Sequence, residues 1–168
     1  MVRLRRSALA AAADDQLTVH QLIERVDADS VAAHIDRAAT CLLVEFDPVR
    51  GVRSYASAGH LPPAVLYPDR TIEVLPLAPG PPLGTGLGGY ATFRCPVHPG
   101  AVVLLYTDGL VERRGQDIEQ CVQRLEHLRL RPDLPLPGVI RSVLTQLSTH
   151  ASEDDVAVLA ARLHPRCT

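Results

Sequence analysis

Between residues 40 and 106 this chain is a succession of short β-forming runs separated by proline and glycine, with helix-forming stretches only before and after them. Thr40 to Phe46 reads as a strand, Asp47-Pro48-Val49-Arg50-Gly51 as a turn, and Val52 to Ala58 as the returning antiparallel partner. Two shorter runs, 64–67 and 71–75, flank Pro68-Asp69-Arg70, and two more, 90–95 and 101–106, flank Pro99-Gly100. Segment 76–89 is dense in proline and glycine and reads as a loop crossing the surface. Antiparallel strands in series, with helices kept to the ends, exclude the βαβ alternation of Rossmann and TIM architectures. They specify an α+β fold.

The flanking helices carry their own signals. Residues 3–13 are rich in alanine and leucine, which favours helix by propensity. Thr18 with Gln21 forms a capping box ahead of Val19, Leu22, Ile23 and Val26, predicting a second helix over about 18–26. Asp117 with Gln120 repeats the pattern before Ile118, Cys121, Val122, Leu125 and Leu128. A proline-rich break over 131–137 precedes a last helix on Val139, Ile140, Val143, Leu144 and Leu147, and 155–163 reads as a last strand. Residues 1–163 are expected to form one domain, with 164–168 a tail.

Composition narrows the function. A chain of 168 residues, 46% hydrophobic and 21% charged, is long enough for one full core and too apolar to be disordered. A net charge of −2 points to neither nucleic acid nor an anionic membrane as partner. Every basic residue is arginine, the mark of a GC-rich genome rather than of a binding device. Cys41, Cys95, Cys121 and Cys167 are far apart with no C-x-x-C pair, which excludes zinc-ribbon and thioredoxin-like readings and favours free thiols. No stretch is long and apolar enough for a transmembrane helix, and Asp14-Asp15 follow the opening arginines too closely for a signal peptide, so a cytoplasmic location is expected.

The residues with chemistry to offer are carboxylates at strand ends. The apolar run 101–106 stops at Thr107-Asp108-Gly109, and Asp154-Asp155 stand just before the apolar run 156–163. Aspartates so placed can present oxygen ligands to magnesium or manganese. Asp-Gly is equally a plain turn signal, and Asp154-Asp155 a solvated strand start.

Four segments read together resemble one family. Ala58-Gly59-His60-Leu61-Pro62-Pro63, Pro82-Leu83-Gly84, the run GAVVLLYTDGLVE from Gly100 to Glu112, and SEDDVAVL from Ser152 to Leu159 are similar, in order and spacing, to the "AGHPP", "PLG", "GDxLxLYTDGLxE" and "DDxxxL" segments of SpoIIE/RsbU-like phosphatases. These are metal-dependent protein serine/threonine phosphatases of the PPM type, also called type 2C. The resemblance implies two antiparallel sheets flanked by helices, forming a sandwich. It implies a manganese or magnesium centre and hydrolysis of a phosphoserine or phosphothreonine by metal-activated water, with no phosphoenzyme. The implied metal ligands are Asp108 and Asp154, and the implied partner is a phosphorylated anti-sigma-factor antagonist or another phosphoprotein. Gly109 would let the backbone turn beside the metal.

The chain departs from the family pattern at its start. The "GGDxxD" and "GDxxGHG" segments that supply further carboxylates have no counterpart, and residues 1–9 resemble the helix that follows the second of them. The reading is of an amino-terminally truncated domain, with two expectations. One is a weak or incomplete metal site, with a non-catalytic regulatory module as the alternative function. The other is self-association through exposed sheet edges. Asp14 and Asp15 read as a solvated helix end, His60 as a structural hydrogen-bonding group, and His98, His127 and His150 as surface residues. Glu112 reads either as support for the Asp108 corner or as a solvent-facing helix start, and Arg113-Arg114 as a charged loop. Gly84, Gly86, Gly88 and Gly89 lack the lysine and strand–helix frame of a phosphate cradle.

Overall fold

The computed structural model describes residues 17–33, 38–47, 51–96, 98–113, 115–147 and 155–164. The expected helix over 3–13, Asp14, Asp15, His150, Asp154 and Cys167 lie outside them. The chain divides into two units, Met1–His60 with Pro76–Pro96, and Leu61–Leu75 with Val97–Thr168.

In the first unit, helix α1 (Val19–Ala32) starts at the predicted capping box: Gln21 N–H donates to Thr18 Oγ1 at 3.3 Å, and Thr18 N–H donates to Gln21 Oε1 at 3.0 Å. The helix runs well past Val26, where the apolar pattern stops. Its buried stripe continues through two polar residues, Asp27 and Ser30, each of which has a hydrogen-bond partner. Ser30 Oγ donates to Val26 O at 2.6 Å, and Asp27 Oδ1 accepts from Gly84 N–H at 2.7 Å. Strands β1 (Cys41–Asp47) and β2 (Val52–Ala58) pair antiparallel from Cys41↔Ala58 to Asp47↔Val52. The strand near 90–95 is β5 (Thr92–Pro96), which joins the far side of β2 and completes a three-stranded sheet in the order β1-β2-β5. Val19, Ile23 and Val26 pack with Ala56, Ala58, Leu83 and Tyr90 as this unit's core. Burying Ile23 completely contributes on the order of 1.5–3 kcal/mol.

The second unit is built on β3 (Ala64–Leu66), β4 (Ile72–Val74), β6 (Val102–Tyr106) and β7 (Val158–Arg162), all antiparallel, in the order β4-β3-β6-β7. Every residue of β6 except Leu105 is buried, which fits its inner position and its unbroken apolar sequence. Helix α2 (Ile118–Gln123) begins where Asp117 accepts from Glu119 N–H, and it passes into a 3-10 turn, Arg124–His127. Helix α3 (Leu136–Leu147) buries Val139, Val143 and Leu147, one stripe at i, i+4 and i+8. These join Leu104, Tyr106, Leu110, Cys121 and Leu125 in the unit's core. Two antiparallel sheets with helices make the α+β class expected from the sequence. No helix of the described residues is long and apolar enough to cross a membrane.

Candidate metal-facing corner

Strand β6 carries the chain to the corner. Thr107 is extended (φ −85°, ψ 160°), and Asp108–Leu110 then form a 3-10 turn. Asp108 O accepts from both Val111 N–H and Glu112 N–H at 2.8 Å, and Asp108 Oδ1 accepts from Gly109 N–H at 2.9 Å. Gly109, Leu110 and Val111 are buried while Asp108 is exposed. The apolar residues after the corner therefore pin it to the core and leave the carboxylate facing outward. Glu112 is exposed, and its amide closes the turn.

Thr107 joins this corner to the second predicted carboxylate segment. Its N–H donates to Ala157 O at 3.1 Å, its hydroxyl donates to Asp155 O at 3.0 Å, and Ala157 N–H donates to the same hydroxyl at 2.9 Å. A side chain thus does the pairing where regular strand structure has not yet begun, which is why β7 starts at Val158 rather than at 155. The neighbours of Asp108 and of Asp154 are tied directly together, although Asp154 itself is not among the described residues. Sequence reading missed Thr107, since a threonine at a strand end is expected for its β propensity alone.

Tyr106 lies behind the corner. Its phenol oxygen is buried without a hydrogen-bond partner among the described residues, and burial pushes its pKa up.

The other family-like segments meet in the first unit. Gly59 has φ +66°, which favours glycine, and a Cβ there would make a tight contact, 3.2 Å, with Pro82 Cγ. Gly80 N–H donates to Ser57 O, and Leu83 exchanges backbone hydrogen bonds with Ala39. His60 takes the structural role expected of it. Its amide donates to Ser57 Oγ at 2.9 Å, that hydroxyl donates to His60 O at 2.8 Å, and its Nδ1 lies 3.1 Å from Thr40 Oγ1. His98 and His127 are exposed, as expected. Asp27, which the sequence did not single out, is a buried carboxylate holding Gly84 in place.

As a metal site, the corner offers a hard oxygen ligand with unused acceptor capacity, suited to magnesium or manganese. Among the described residues no three His, Cys, Asp or Glu side chains converge. Among the described residues the corner supplies a single carboxylate, which does not by itself make a two-cation centre.

The family described as Stage II sporulation protein E (SpoIIE) matches residues 1–164. The chain belongs to the SpoIIE family. Its two antiparallel sheets with helices are the fold of the phosphatase domains it resembles. Among solved structures, the RsbU and RsbW domains of Rv1364c from Mycobacterium tuberculosis superpose with a TM-score of 0.83 at 25% identity, covering 100% of this chain and 48% of that one. The chain therefore spans about half the length of that neighbour. The phosphatase domain of SpoIIE from Bacillus subtilis, presoaked with manganese, gives 0.60 at 12% identity over 100% of this chain and 76% of that one. RsbX in complex with magnesium gives 0.60 at 17% identity over 95% of this chain and 74% of that one.

Proposed function

We propose that this SpoIIE-family chain is a PPM-type protein serine/threonine phosphatase domain that acts within bacterial partner-switching regulation. The observation that carries the reading is the Thr107-Asp108-Gly109 corner, which fixes an exposed carboxylate at the end of a buried strand and ties it to the segment beside Asp154. Asp108 and Asp154 are the residues that would hold a magnesium or manganese ion. Such a cation, when bound, supplies the positive charge that phosphoryl transfer requires. The chain's own part is positional. Leu110 and Val111 anchor the corner in the core, Gly109 N–H orients one carboxylate oxygen, and Thr107 holds the two acidic segments at a fixed separation.

The substrate class is a phosphoserine or phosphothreonine protein, and a phosphorylated anti-sigma-factor antagonist is the partner that the SpoIIE/RsbU resemblance favours. A cytoplasmic location accords with that partner. Purified chain, supplied with manganese or magnesium and a phosphoserine protein of the antagonist type, should release phosphate only when metal is present. Asp108→Asn should reduce that release at least about 100-fold while leaving the circular dichroism spectrum unchanged. Release that is independent of metal, or unchanged in Asp108→Asn, would overturn the assignment.

A further inference from the structure

We draw no further inference here: the strongest candidate, the open cleft of about 1100 Å3 in the first unit, lined by Thr18 and His20 at the start of α1 and by Glu45, Ser54 and Arg94 of the β1-β2-β5 sheet, carries none, because its mixed charges select no one ligand and nothing in the structure shows what occupies it.

Discussion

Arg70 is the one non-glycine residue with positive φ among the described residues, at +73°, in the turn between β3 and β4. Its neighbour Asp69 stabilises the turn by accepting from the amide and hydroxyl of Thr71. A side chain in the left-handed region costs about 1–2 kcal/mol, and glycine removes that cost while adding about 0.5–1 kcal/mol of unfolded-state entropy. Arg70→Gly should therefore raise stability slightly, by about 0.5 kcal/mol, read as a higher midpoint in urea; a lower midpoint would contradict this account of the turn. Tyr90 makes a second prediction. Its phenol is buried, and burial, with the Asp27 carboxylate beside it, raises its pKa from 10.0 to about 12. The unfolded phenol ionises first, so this contribution to stability is present below pH 10 and is lost as pH rises through about 12. Tyr90→Phe should flatten that alkaline loss without removing it, because Tyr106 is raised in the same direction. An alkaline limb as steep in the variant as in the wild type would count against the assignment.

At the scale of elements, one hydroxyl extends the pairing of β6 with β7 beyond Tyr106 and Val158. Thr107→Val deletes both of its hydrogen bonds but keeps the backbone bond from Thr107 N–H to Ala157 O. The groups it releases, on Asp155 and Ala157, are exposed and can turn to water, so the cost should be about 1 kcal/mol. Hydrogen exchange at the Ala157 amide should accelerate on the order of tenfold, and unchanged protection there would show that the Thr107 hydroxyl does not extend the pairing. The strands and most helix starts were legible in the sequence because each rests on local signals: the Thr18 box, the Asp117 cap, the Pro99-Gly100 turn and the period-two runs. The end of α1 was not, because Asp27 and Ser30 occupy its buried face and are satisfied by Gly84, far along the chain, and by the helix's own backbone. The same limit applies at the candidate site. Asp108 shows itself as a strand followed by Asp-Gly, but the tie from Thr107 to residues 155–157 spans about fifty positions and has no local signature.

For the molecule as a whole, membership of the SpoIIE family rests on a match over residues 1–164, and the fold agrees in both sheets. The described residues contribute one outward carboxylate at the Asp108-Gly109 corner and no converging set of three potential ligands. The account therefore turns on whether Asp108 holds a catalytic cation. The most direct measurement is phosphate release from a phosphoserine protein, titrated with manganese, for the wild type and Asp108→Asn side by side. The account predicts saturable, metal-dependent release by the wild type and a loss of at least about 100-fold in the variant. Equal release by the two proteins, or none by the wild type at any manganese concentration, would contradict it.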